Sequence, residues 1–177
     1  MKRRVLIPLV VMAVGACGAS TATSTPKAAA GVIHCTVRGN GLYVLPDPIC
    51  TPGAYNPAVN QSTIWTTICK AGWTTTVRPP VSVTTPLKRS LILTYGMYAG
   101  TSATNYELDH LVPLELGGAT IDHKNLWPEK GPSRNPKDNV EDAARRSVCA
   151  GRMSLAAAQV SIQSDWVSFG KQLGVLK

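Results

Sequence analysis

Residues able to support chemistry are concentrated in the segment 106–128. Asp109 stands directly before His110, and Asn125 follows fifteen residues after that histidine. A carboxylate is a hard oxygen ligand suited to Mg²⁺, and a neutral imidazole can take a proton from water because its usual pKa is about 6.5. A water activated in this way attacks a phosphodiester while a divalent cation stabilises the developing charge. The pattern therefore predicts metal-assisted hydrolysis.

The predicted elements around these residues are two short strands joined by a loop. Residues 106–112 alternate in the manner of a strand, Gly117-Gly118 form a turn, and a second strand over 125–127 is expected to stop at Pro128. Consecutive strand residues point to opposite faces. Asp109 and His110 can therefore meet at one ion only where the strand end twists, which is expected just before Pro113.

Two helices are predicted after the strands. Asn135 is a good N-cap and Pro136 a good first residue for a helix that ends at Cys149. Ser154 caps the last helix, whose apolar residues follow helical spacing. The Asp-His pair thus lies in the first strand of a predicted strand, loop, strand, helix unit.

An earlier helix is predicted over 86–98, with Thr85 as its cap and Pro86 in its first turn. Lys88 and Arg89 lie away from its apolar stripe, and we interpret them as solvated. The preceding region, 32–80, is rich in Pro, Gly, Thr and Cys. It predicts loops and turns with short strands, such as one over 63–68.

The first residues predict export. Lys2, Arg3 and Arg4 precede the apolar run 5–14, which is shorter than the roughly 20 residues needed to span a bilayer. The run ends in Val-Gly-Ala-Cys, which resembles a bacterial lipobox and predicts lipidation of Cys17. We therefore expect a signal peptide over 1–16, a tether over 17–31 and one domain over 32–177. Ordinary secretory cleavage, giving a secreted protein, is the alternative.

The cysteine count agrees with export. Of five cysteines, removal of Cys17 leaves four that predict two disulfides, with three possible pairings: Cys35, Cys50, Cys69 and Cys149. A zinc site is the alternative, but it usually uses closely spaced pairs, which this chain lacks.

Composition and charge fit a globular protein with polyanionic partners. Hydrophobic residues make up 44% of the chain and charged residues 16%, which is typical of a folded domain and not of disorder. The formal charge is +8, and three of the positive charges lie in the predicted signal peptide, which leaves +5. This excess favours nucleic acid or anionic lipid as a partner.

The segment 109–113, the pair Gly117-Gly118 and the dipeptide Asn125-Leu126 together resemble the HNH, or ββα-metal, nuclease motif. The longer stretch 106–141 is similar to small exported bacterial proteins of HNH type. This resemblance implies an α+β fold with a ββα-metal core spanning 106–149. A loop-rich, disulfide-linked portion would precede the core, and a C-terminal helix would follow it.

The resemblance also implies roles for residues. His110 would be the general base and Asp109 a ligand of Mg²⁺ or Mn²⁺. Asn125 would brace the loop between the strands. Asn135 is the best match to the third position of the motif, a second metal ligand, although its N-cap role needs no metal. Lys137 and Glu141 would contact phosphate or metal, or would form a surface (i, i+4) pair.

The sequence thus predicts a metal-dependent endonuclease acting on DNA or RNA, exported and attached to the membrane only through a lipid. The oligomeric state is open, and we expect a monomer. One alternative is a catalytically inactive HNH-like module that binds nucleic acid or an envelope polyanion. Another is a disulfide-rich structural protein of the envelope.

Overall fold

The fold class predicted from the sequence, α+β, is confirmed. A computed structural model of the protein describes residues 34–96 and 100–177, and Val32–Lys177 forms one compact unit. Within the described residues it has two small antiparallel sheets, four helices and two disulfides. The predicted signal peptide, the lipidation site Cys17 and the tether lie outside the described residues.

The N-terminal portion is a hairpin followed by turns. Strand β1, Arg38–Asn40, pairs with β2, Tyr43–Leu45. The predicted strand over 63–68 is wrong, because the chain there forms a 3₁₀ turn at Ile64–Thr66. The hydroxyl of Thr67 donates to the carbonyl of Thr63, and such local bonds draw threonine into turns.

The two disulfides predicted from four cysteines are confirmed, and the structure supplies their pairing. Cys35 is bonded to Cys50, and Cys69 is bonded to Cys149. The second bond ties the loop-rich portion to the end of a C-terminal helix. Structural disulfides of this kind indicate an extracellular or exported protein.

Helix α1 spans Trp73–Val77, and helix α2 spans Val81–Thr94. The predicted helix over 86–98 therefore begins too late and extends beyond Thr94, where α2 ends. The rigid Pro80 caps α2, so that Pro86 lies inside the helix. A proline there removes one main-chain hydrogen bond and crowds the carbonyl of Ser82, a cost that the packing of the buried Leu91 and Ile92 can offset.

The second hairpin consists of β3, Tyr106–His110, and β4, Leu126–Lys130. Its register pairs Asp109 with Trp127 and His110 with Leu126. Strand β4 continues through Pro128, where the sequence predicted a stop. Each strand of a two-stranded sheet has a free edge, and proline is tolerated where its nitrogen faces that edge.

The last two helices are α3, Pro136–Cys149, and α4, Leu155–Gln172, and both begin where the sequence predicted. They enclose one hydrophobic cluster that includes Val112 and Leu116 from the loop after β3. A second cluster joins α2 to the hairpin through Ile92 and Trp127. In the part of the chain that is described, no helix is long and apolar enough to cross a membrane.

Candidate active site

Asn125 holds together the loop that connects β3 to β4. Its Oδ1 accepts hydrogen bonds from the main-chain nitrogens of Val112 (2.9 Å) and Ala54 (3.4 Å). Its Nδ2 donates to the carbonyls of Val112 (2.9 Å) and Ala119 (3.0 Å). The side chain is fully buried. These four bonds fix the chain directly after His110, which is the geometry that the resemblance implies for this residue.

The Gly117-Gly118 pair is required by the same loop. Gly117 has a φ of 75°, a left-handed conformation that favours glycine. At Gly118 a Cβ atom would lie 1.7 Å from the carbonyl oxygen of Val112 and 2.8 Å from Nδ2 of Asn125. A side chain at Gly118 would therefore displace the Asn125 amide.

His110 is held in one tautomer by the loop. Its Nε2 lies 3.0 Å from the carbonyl oxygen of Thr120, and a carbonyl can only accept, so Nε2 carries the proton. In the neutral ring Nδ1 then has a free lone pair, and no described residue donates a hydrogen bond to it. Burial lowers the pKa of His110, although the Thr120 carbonyl and the Asp109 carboxylate oppose the shift. The ring is therefore neutral at pH 7 and able to accept a proton.

Asp109 is paired with a buried ammonium. Its Oδ2 accepts a hydrogen bond from Nε1 of Trp127 (3.0 Å) and lies 2.8 Å from Nζ of Lys137. Lys137 also donates to the carbonyl of His110 (2.8 Å) and to Glu141, and it is fully buried. Burial would lower the pKa of Lys137, but the carboxylates of Asp109 and Glu141 outweigh it and raise that pKa overall.

Two sequence predictions need correction at this point. Asn135 was expected beside Asp109 as a metal ligand, but its Oδ1 accepts from the Lys137 main-chain nitrogen (2.8 Å) and its Nδ2 donates to Glu129 (3.1 Å). The amide thus caps α3 and does not line the cavity that Asp109 lines. For Lys137 and Glu141 the alternative interpretation, an (i, i+4) pair, is the one present, but Lys137 is buried and not on the surface, which leaves it no room for a phosphate contact.

Asp109 and His110 both line a narrow polar cleft of about 90 Å³. Its wall carries five carboxylates and one guanidinium, from Glu107, Asp109, Glu115, Asp138, Glu141 and Arg78. Within the described residues, one buried Oε2 on Glu107 and one on Glu115 lack any hydrogen-bond partner. Burial, with repulsion from Asp109 and Asp138, raises the pKa of Glu107 to about 7. Neither Glu107 nor Glu115 forms a salt bridge with a described residue.

Glu107 and Glu115 were missed by sequence reasoning. Glu107 lies two residues before Asp109, and alternation along β3 places both on the same face. The spacing of two residues could therefore have predicted that Glu107 lies beside Asp109. Glu115 belongs to the 3₁₀ turn Leu114–Leu116, whose approach to β3 no sequence pattern indicated.

The residues of the cleft suit an open site for a hydrated cation such as Mg²⁺, and not a closed site in which protein side chains supply every ligand. Across 34–96 and 100–177, no three His, Cys, Asp or Glu side chains are arranged to hold a metal ion. Mg²⁺, however, is commonly bound through one or two carboxylates and completes its shell with water and substrate phosphate. The unpartnered oxygen of Glu107, beside Asp109, provides that kind of donor set.

Comparisons of this chain with models of protein families, with curated proteins and with solved structures found no match.

Proposed function

We propose that the protein is an endonuclease that hydrolyses phosphodiester bonds in nucleic acid with the help of a divalent cation, and that His110 is its general base. The observation that carries the proposal is the state of the His110 ring. Its Nε2 proton is committed to the Thr120 carbonyl, and burial holds its pKa below the ordinary value. A neutral imidazole with an open Nδ1 beside a polar cleft is suited to take a proton from water.

The other groups support this role. Glu107 and Asp109 would hold Mg²⁺ or Mn²⁺, which when bound would neutralise charge on the phosphoryl and leaving oxygens. Lys137 holds the second oxygen of Asp109 and the His110 carbonyl, so it fixes the end of β3. Asn125 keeps the following loop in place. The order β3, loop, β4, α3 is the order expected of a ββα-metal core, and this is the fold assignment we propose.

We propose further that the protein is attached to the envelope through lipid on Cys17. The support is the lipobox-like sequence before that residue, together with the two disulfides, which suit an oxidising compartment. A substrate met in that compartment would be nucleic acid outside the cytoplasm.

The proposal is tested by incubating the purified protein with plasmid DNA, single-stranded DNA and RNA across a panel of divalent cations. We expect degradation with Mg²⁺ or Mn²⁺, no degradation in EDTA, and a loss of about 100-fold or more in His110→Ala. His123→Ala is the matched control, because that histidine is exposed and lies outside the cleft. Equal degradation by His110→Ala and wild type would refute the mechanism.

One observation favours a second function, that of a catalytically inactive module which binds a polyanion. The Lys137 ammonium already occupies one oxygen of Asp109, where a metal was expected. In this case the protein would bind nucleic acid without cleaving it under any of the cations, and Asp109→Ala would leave that affinity unchanged. Calorimetry with Mn²⁺ separates the two functions, because only the nuclease needs the ion in the cleft.

A further inference from the structure

A second, larger cavity meets the polar cleft at His110. It has a volume of about 550 Å³ and lies between α2 and the β3–β4 hairpin. Four residues line both cavities: Arg78, Glu107, Leu108 and His110. The general base of the proposed reaction therefore stands where the two spaces join, and we call the larger one the α2 groove.

The α2 groove is suited to phosphate. Two cations line it, Arg78 and Lys88, and neither forms an ion pair with any described residue. The hydroxyl-bearing residues Thr84, Thr85 and Thr104 line it as well. Glu107 is its one carboxylate. An unpaired guanidinium and an ammonium in one groove attract the backbone of a polyanion.

The N-terminus of α2 also favours a negatively charged ligand in the groove. Val81, Thr84 and Thr85 belong to its first turns and line the groove. Pro80, the N-cap, provides no side-chain cap, and the first turn contains no acidic residue. The free main-chain N–H groups and the positive end of the helix dipole at such an N-terminus favour an anion.

The size of the groove limits its ligand. Pockets of about 300–1,000 Å³ hold ligands of the size of a drug molecule, which is comparable to one or two nucleotides. Two paired strands do not fit in such a space. An unpaired segment can therefore enter the groove and bring a phosphodiester to His110, whereas a duplex would stay at its mouth.

The geometry points to the α2 groove as the binding site for single-stranded nucleic acid, with Arg78 and Lys88 contacting successive phosphates on either side of the bond that faces His110. The assignment rests on the proposed nuclease function for its reaction but not for its binding. It also revises the interpretation of Lys88 as a merely solvated charge.

The test measures binding by the full-length protein in EDTA, where cleavage is not expected. Fluorescence anisotropy with a labelled eight-nucleotide single strand, as DNA and as RNA, gives Kd over a range of salt concentrations. For single strands each phosphate contact adds about 0.7 to the salt slope, which corresponds to about fivefold in Kd at 0.1 M salt. We expect Arg78→Gln and Lys88→Gln each to lose about that much in slope and in affinity.

Arg89→Gln is the matched control. Arg89 is the next residue of α2, is exposed, and does not line the groove, so its Kd is expected to change by less than about twofold. A blunt duplex of the same sequence is expected to bind at least about tenfold more weakly than the single strand, since it cannot enter. Equal losses in Arg78→Gln, Lys88→Gln and Arg89→Gln, or equal affinity for the duplex, would overturn the assignment.

The outcome is separable from that of the proposed function. Single-strand binding that depends on Arg78 and Lys88 without cleavage under any divalent cation would retain the groove and refute the nuclease. Cleavage that is unaffected in Arg78→Gln and Lys88→Gln would retain the nuclease and refute the groove.

Discussion

The buried charges around Asp109 decide what the site can do. Lys137 is a buried cation that pairs with Asp109 and Glu141, whereas Glu107 and Glu115 line the cleft without an ion pair to any described residue. Lysine is rarely fully buried unless it is paired, so the sequence alone favoured an exposed contact. The pairing depends on α3 packing against the end of β3, which no local pattern indicates.

Glu107 gives the residue-scale prediction. Its pKa is about 7 in the folded protein and near 4.5 when unperturbed. Between these two pH values the folded protein binds a proton that the unfolded chain has released, so stability falls as pH rises through this window. We expect Glu107→Gln to remove the part of this loss that Glu107 causes, about 1–2 kcal/mol at pH 8 once solvent screening of a half-buried carboxylate is allowed for. Urea unfolding from pH 4 to pH 8 measures it.

Adding a divalent cation to the same unfolding experiment gives a second test of Glu107. Mg²⁺ at pH 8 should raise the stability of the wild type and leave Glu107→Gln unchanged, because the ion compensates the carboxylate that the variant lacks. Asp122→Asn is the control: this exposed residue caps a turn through an oxygen that asparagine retains. Parallel pH curves for wild type and Glu107→Gln would refute the assignment of Glu107.

At the scale of elements, cap chemistry made the C-terminal half predictable. Asn135 and Asp138 form a capping box at the start of α3, and Pro136 is the first residue of that helix. At the start of α4 the Ser154 side chain accepts a hydrogen bond from the main-chain nitrogen of Ala157. These signals are local, so both helix starts were predicted correctly. Asn135 also shows the limit of this information, because the N-cap role and the metal-ligand role use the same side-chain oxygen.

Proline caused two further errors. Pro86 was interpreted as a helix start and Pro128 as a strand end, yet both lie within their elements. Local rules treat proline as a breaker, whereas the buried neighbours Leu91 and Trp127 hold the backbone in place. The α2 groove was missed because it exists only after α2 packs against the hairpin, which no local pattern indicates.

The loop between the strands gives the element-scale prediction. Asn125→Ala removes four hydrogen bonds and leaves the main-chain groups of Val112 buried without partners. We expect a loss of about 3 kcal/mol in the free energy of unfolding, measured with urea. Asn139→Ala, an exposed change within α3, should stay within about 0.5 kcal/mol of the wild type. A loss below about 1 kcal/mol for Asn125→Ala would show that the loop does not depend on this amide.

At the scale of the whole molecule, most of the opposite charges are separated between the two cavities that meet at His110. The net charge predicted a polyanionic partner, and in the described structure Lys88 lines only the α2 groove, four carboxylates line only the adjoining cleft, and Arg78 and Glu107 line both. A phosphate chain would be attracted by the groove and repelled by the cleft unless a cation bound in the cleft. This separation accounts for the requirement for a divalent ion in the proposed reaction.

The most direct test of the account is chemical rescue of the proposed base. His110→Gly should cleave single-stranded nucleic acid about 100- to 10,000-fold more slowly than the wild type in Mg²⁺ or Mn²⁺. Added imidazole should restore part of the rate, because it supplies the missing base, and it should not change the rate of His123→Gly. Cleavage by His110→Gly at the wild-type rate, with no response to imidazole, would contradict the account.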